Sequence, residues 1–220
     1  MSRGIWRPLG FDIETSSIEP NDGVILSIGA YDPQTGRSFY EELRWDNLRV
    51  SPSAMRVNRI DITKVDGAQN SIGGQRLRND VCDVALAKWL SEHGYEDGCD
   101  YIPTGLNVGS FDIKWISQFM PKSRSKFGHR FIDLNSLYFR KSFAANYGFK
   151  GIRSVVSLEA SKRMEPITEK IRQEYLLNGY DLEWGPHHAL YDAIHACCAF
   201  EVVCEANTFG ELCTLSDSEE

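Results

Sequence analysis

Leu9-Gly10-Phe11-Asp12-Ile13-Glu14-Thr15 alternates apolar side chains with two acids. In a strand, side chains two positions apart share a face, so Asp12 and Glu14 point the same way with Cα atoms roughly 7 Å apart. Two carboxylates held side by side next to a core are costly unless positive charge neutralises them, and hard divalent cations with oxygen ligands are the usual partner. The pattern predicts a metal site. The competing reading is the solvated face of an edge strand, and further acids are needed to decide between them.

Residues 5–14, 24–31 and 37–45 read as strands in an antiparallel meander, joined by turns at Pro20-Asn21-Asp22-Gly23 and Asp32-Pro33-Gln34-Thr35-Gly36. Residues 46–80 are polar and rich in Asn, Ser, Gly and Arg, which predicts a long excursion near the ligand with one short helix. The spacing of Val81, Val84, Ala85, Ala87, Trp89 and Leu90 predicts a helix over 81–93, ended by Gly94. A strand at 100–106, a helix at 111–120, a strand at 130–134 and helices at 152–161 and 166–177 follow. The last helix, 188–206, carries an apolar stripe of Ala189, Ala193, Ala196, Cys197, Phe200 and Cys204 that would pack on the sheet. Strands first, then alternating helices and strands, give an α/β protein with a mixed β-sheet and helices on its faces.

At 220 residues and 24.9 kDa, the chain suits one domain over 1–210, followed by an acidic tail, 211–220, expected to be disordered. A hydrophobic fraction of 42% and a charged fraction of 25% describe an ordinary globular protein. The net charge of −7 argues against coating nucleic acid through a bulk positive field. It does not argue against a nucleic-acid enzyme, because clustered acids contribute to that total and bound cations reverse the local sign. No apolar run is long enough to span a bilayer and the N-terminus lacks a signal peptide's apolar core, so a cytoplasmic protein is expected. The six cysteines form no C-x-x-C pair, which argues for reduced, buried thiols.

Two further acids stand at structurally telling places. Asp112, in Gly105-Leu106-Asn107-Val108-Gly109-Ser110-Phe111-Asp112, opens a helix directly after a strand, where open α/β sheets place ligands; it can equally serve as a helix cap. Asp192 follows Pro186-His187-His188 inside the last helix. If that helix already runs through 187, only His188, four positions back, shares a face with Asp192. If Pro186 marks a loop and the helix starts at 188 or 189, His187 is able to swing over the same site.

In this order the three stretches FDIET, GLNVGSFDIKWI and HHALYDA resemble the boxes of the DnaQ-like DEDDh 3′-to-5′ exonucleases of the ribonuclease H-like superfamily, over about residues 8–200. The resemblance implies a ribonuclease H-like mixed β-sheet with helices on both faces. It implies that Asp12, Glu14, Asp112 and Asp192 are metal ligands and that His187 is the general base. A tyrosine-type relative would carry Tyr four positions before the last acid, where this chain has His188. The middle box departs from the common Asn-x-x-Phe-Asp by one extra residue, Ser110, which weakens the role of Asn107 more than that of Asp112. Asp133 matches an acid found after the next strand in many members, either as a simple strand-end residue or as support for the ligands.

The mechanism implied uses two Mg²⁺ or Mn²⁺ ions, one generating the attacking hydroxide and the other stabilising the leaving 3′-oxygen. An imidazole can take the water's proton at neutral pH. Substrate contacts implied by resemblance are Thr15 and Phe111 lining the cleft, with Met55 and Asn58 wedging the terminal base and Asn107 nearby. Phe111 can instead be a core side chain at a helix start. The basic residues Lys122, Arg124, Lys126, Arg130, Arg140 and Lys141 are either phosphate contacts or a solvated face. The expected partners are single-stranded 3′ ends of DNA or RNA, with no membrane and with room for a homodimer. A non-catalytic nucleic-acid or polymerase-binding module, and a phosphodiesterase of short or cyclic oligonucleotides, are the competing functions.

Overall fold

The computed structural model describes residues 5–58, 76–92, 99–145, 149–177 and 185–205. Strands β1 (Ile5–Thr15), β2 (Ile25–Asp32) and β3 (Arg37–Arg44) form the expected antiparallel meander. A short helix α1 (Pro52–Asn58) lies in the predicted excursion, which ends in a two-residue strand β4 (Leu77–Arg78). Then come helix α2 (Asn79–Glu92), strand β5 (Cys99–Gly105), helices α3 (Asp112–Phe119) and α4 (Pro121–Arg124), and strand β6 (Ile132–Asp133). Helices α5 (Leu134–Ala145), α6 (Phe149–Leu177) and α7 (Ala189–Glu205) complete the described chain. The sheet order is β4-β3-β2-β1-β5-β6, with β5 and β6 parallel to β1. This mixed sheet with helices on both faces is the ribonuclease H-like arrangement that was expected.

Alternation in β1 builds both layers. Leu9, Phe11 and Ile13 are buried with Leu86, Leu90, Trp115 and Ile116 of α2 and α3, in a core beneath one face. Gly10, Asp12 and Glu14 face the other side, where α7 lies. A Cβ at Gly10 would collide with the Ala193 carbonyl and the Cys197 sulfur, and one at Gly29 with the Ala189 and Leu190 backbone. The small-residue stripe on α7 and these two glycines therefore bring helix and sheet into direct backbone contact. That contact carries Asp192, in the first turn of α7, toward Asp12 and Glu14. Gly10→Ala is expected to destabilise the fold by about 1–3 kcal/mol, because neither neighbouring backbone can yield. Urea denaturation measures the loss, and an unchanged midpoint would contradict this packing.

Three features differ from the sequence expectations. Helices anticipated at 152–161 and 166–177 are one helix, α6, running through Pro166. Pro166 is exposed, on the outer side of a helix long enough to tolerate the loss of one backbone bond. Helix α5 occupies residues where none was expected, started by Asp133, whose Oδ1 accepts the Asn135 N–H at 2.9 Å. Strand β4 was likewise missed, being too short to show a period. No described helix is long and apolar enough to cross a membrane. The expected tail, 211–220, lies outside the described residues.

Candidate active site

Asp12 and Glu14 project from the last third of β1 onto the α7 side, and two other chain segments bring the remaining acids to them. Asp112 stands at the first position of α3 and is only 2% exposed. It does not cap its helix; Phe111 holds the N-cap position without a side-chain bond. Instead Asp112 Oδ1 accepts the backbone N–H of Ile13 at 3.0 Å, between the two acids of β1. The β1–β5 ladder last pairs Gly10 with Thr104, so the Ile13 amide lies past its end, and Asp112 supplies the missing acceptor. The geometry thus favours the ligand reading of Asp112 over the cap.

Helix α7 begins at Ala189, which leaves Gly185-Pro186-His187-His188 as a turn. His187 takes a left-handed φ of 70°, an unfavourable conformation for a residue with a side chain, and its N–H donates to Asp192 Oδ2 at 3.0 Å. A ring nitrogen of His187 and carboxylate oxygens of Glu14 and Asp192 lie within 4.8 Å of one another. His188 turns away. Its ring stacks on Tyr40 with centroids 4.3 Å apart, and burial pushes its imidazole pKa down to about 4, so it is neutral at physiological pH. Tyr40 in turn donates its hydroxyl to Glu42, which is held by the buried guanidinium of Arg76 at 3.0 Å. Of the two histidines, only His187 reaches the acids.

The electrostatics of the cluster are those of anions lacking a counterion. Among the described residues, no lysine or arginine forms an ion pair with any of the four acids. Burial is the largest cause raising each of their pKa values, and repulsion from the others adds to it for Asp12 and Glu14. Asp12 is pushed well above the usual carboxylate range, Glu14 up to about 9, Asp112 to about 8 and Asp192 to about 6. For Asp112 the Ile13 amide, and for Asp192 the His187 amide and imidazole, pull the other way. Asp133 adds to the repulsion at Asp112, which places it beside the cluster while it also starts α5. An all-oxygen donor set of this charge suits hard divalent cations such as Mg²⁺ or Mn²⁺.

The remaining expected residues are less uniform. Thr15 is buried beside Glu14, its hydroxyl bonded to the Ser17 carbonyl at 2.6 Å. Met55 packs from α1 on Val24 and Leu26, while Asn58 ends α1 with its side chain outside the described residues. Phe111 is half-buried and tilted against Trp115 at 6.1 Å, so it serves the core on one side. Asn107 adopts a φ of 58°, and its Oδ1 accepts from Asn135 at 2.8 Å. That turn absorbs the extra residue of the middle box. Arg124 spends its guanidinium on the Phe127 and Gly128 carbonyls, whereas Lys122, Lys126, Arg130 and Arg140 are exposed; the Lys141 side chain is outside the described residues. Sequence reasoning missed Arg153, Ser157, Tyr191 and His195, which line the same cleft as Asp12, His187 and Asp192. Residues 153 and 157 share a face of α6 and 195 lies one turn beyond Asp192, but that spacing does not say that the two helices enclose one cleft.

Comparison with known proteins agrees with this architecture. The profile of the 3′-5′ exoribonuclease Rv2179c-like domain matches residues 8–204. No curated protein matches the chain in sequence. Among solved structures, an exonuclease I superposes with a TM-score of 0.56 at 12% identity, covering 94% of this chain and 42% of its own. The zinc-bound complex of E. coli exonuclease I with single-stranded DNA gives 0.52 at 16% identity, covering 96% and 43%. Exonuclease I of Methylocaldum szegediense gives 0.52 at 14%, covering 93% and 41%. The chain thus spans about two fifths of the length of these proteins, and at such identities the likeness is one of fold. With a family profile covering nearly the whole of it, the chain belongs to the 3′-5′ exoribonuclease Rv2179c-like domain family, among the DEDDh exonucleases of ribonuclease H-like fold.

Proposed function

We propose that this protein is a metal-dependent 3′-to-5′ exonuclease that releases nucleoside 5′-monophosphates from single-stranded nucleic acid. The observation that carries the reading is the convergence of Asp12, Glu14, Asp112 and Asp192, from three chain segments, with no lysine or arginine paired to them among the described residues. When bound, two Mg²⁺ or Mn²⁺ ions supply Lewis acidity and an activated water for phosphodiester hydrolysis.

The chain's own groups do the rest. Asp112 fixes the β1 backbone between Asp12 and Glu14, so the two carboxylates hold one orientation. Asp192 pins the His187 turn through its amide, leaving the imidazole at the acids as general base for the attacking water. Thr15, Met55, Asn58 and Phe111 would receive the terminal nucleotide, with Asn107 at the rim. Stacking on Phe111 tolerates any base. The family's description makes RNA the first substrate to try, and the DNA complex of the fold relative makes single-stranded DNA the second. A cytoplasmic setting belongs to the same proposal and rests on the buried, reduced thiols of Cys82, Cys197 and Cys198.

The test is a panel of 5′-labelled single-stranded RNA, single-stranded DNA, duplex and dinucleotide with Mn²⁺, with and without chelator. A ladder shortening from the 3′ end, mononucleotide 5′-phosphate as product and no reaction in chelator are expected. Internal cuts, or no cleavage of any substrate, would reject the reading. His187→Ala is expected to lower turnover by about 10²- to 10⁴-fold while substrate affinity, measured in Ca²⁺, is kept. His188→Ala is expected to lower the melting temperature instead, and a loss of turnover confined to that variant would mean the roles are reversed.

A further inference from the structure

Asp12, Asp192 and His187 line a cleft of about 310 Å³ that extends between α6 and α7. Arg153, Ser157 and Ser161 approach it from one face of α6, and Tyr191 and His195 from α7. Ser157 Oγ and His195 Nε2 are hydrogen-bonded at 3.2 Å, which fixes that wall. Leu106 and Leu134 give it an apolar side. Among the described residues, Arg153 has no carboxylate partner. Its cation therefore stands at the cleft, in a protein whose net charge is −7. Thr15, Met55 and Phe111, the residues suited to the terminal nucleotide, do not line this cleft.

We infer that this cleft is a second nucleotide subsite, for the residue immediately upstream of the scissile bond, with Arg153 binding that residue's 5′-phosphate. The inference rests on the exonuclease reading above. A substrate strand crossing the acids must continue on one side or the other, and this side offers a cation for a phosphate and an apolar surface for a sugar. A guanidinium presents paired N–H donors that match two phosphate oxygens, and one good charged hydrogen-bonding contact is worth about 10- to 100-fold in binding.

Three substrates isolate the contact: a dinucleotide with a 5′-phosphate, the same dinucleotide without it, and thymidine 5′-(p-nitrophenyl phosphate), which has no upstream nucleotide. The wild-type protein is expected to prefer the phosphorylated dinucleotide over the unphosphorylated one. Arg153→Ala should cut the ratio of kcat/KM on the phosphorylated dinucleotide to that on the ester by about 10- to 100-fold, chiefly through KM, with Arg153→Lys recovering part of it. An equal loss on all three substrates would mean a structural role and would overturn the inference, as would no loss. Affinity for the two dinucleotides measured in Ca²⁺ separates this inference from the reading beneath it. If the wild-type protein hydrolyses nothing yet binds the phosphorylated form more tightly through Arg153, the exonuclease reading fails and the subsite stands; equal affinity sinks the subsite. Competition by inorganic phosphate or by mononucleotide 5′-phosphate, lost equally in Arg153→Ala, would assign the group to product rather than substrate and would also overturn it.

Discussion

Replacing Asp12 or Asp192 by alanine is expected to lower Mn²⁺-dependent 3′ shortening by about a thousandfold or more, since the metals' several kcal/mol of transition-state stabilisation would be lost. Asp12→Ala should leave the metal-free fold intact or more stable, because it removes a carboxylate raised by burial and by all three neighbouring acids. A structural role for Asp12 predicts the opposite, a loss of stability alongside the loss of activity. Asp12→Asn sharpens the contrast, because it keeps the shape and removes the charge. Its melting temperature in chelator at pH 8 should exceed the wild-type value, while its gain on adding Mg²⁺ should nearly vanish. Unimpaired degradation by any of these variants would reject the site.

Stabilisation by metal should grow with pH. The acids titrate at roughly 3.9 to 4.3 in an unfolded chain, whereas in the fold Asp192 is raised to about 6, Asp112 to about 8 and Glu14 to about 9. Between about pH 4 and 9 the metal-free fold therefore holds protons that the unfolded chain has released, and stability drains away as pH rises through that window. Metal binding needs the carboxylates ionised, so it works against those protons at pH 6 and far less so at pH 8.5. At a hundredfold excess over Kd, one bound ion stabilises by about 2.7 kcal/mol, which in a chain of this size shifts the melting temperature by about 5–10 °C. Differential scanning fluorimetry with Mg²⁺ or chelator should show that gap widening from pH 6 to pH 8.5. A gap that is constant or narrows with pH would contradict the assignment of the acids as ligands.

Much of the site was legible because its residues mark element boundaries. The β1 alternation set both core and acids, and the meander after it followed from turn residues at Pro20–Gly23 and Asp32–Gly36. The last helix was expected at 188–206 and runs from Ala189 to Glu205; its start at Ala189 settles which histidine is able to reach Asp192. Other features left weaker marks. Pro166 reads as a break, yet an exposed proline costs a long, packed helix one backbone bond. Helix α5 was hidden because its first turn, Leu134-Asn135-Ser136-Leu137, looks like a loop unless Asp133 is recognised as its cap. Whether Asp112 capped its helix or joined the other acids was open locally, since the answer depends on the Ile13 amide, 99 positions away in the chain. Arg153 was out of reach for the same reason: nothing nearby in sequence says that α6 and α7 enclose a cleft.

Four acids brought together by the sheet, α3 and α7 are proposed to hold a pair of divalent cations, and anomalous scattering from crystals grown in Mn²⁺ would locate them. Two manganese peaks bridged by the carboxylates of Asp12, Glu14, Asp112 and Asp192 are predicted, and peaks elsewhere, or none at these side chains, would contradict the proposal.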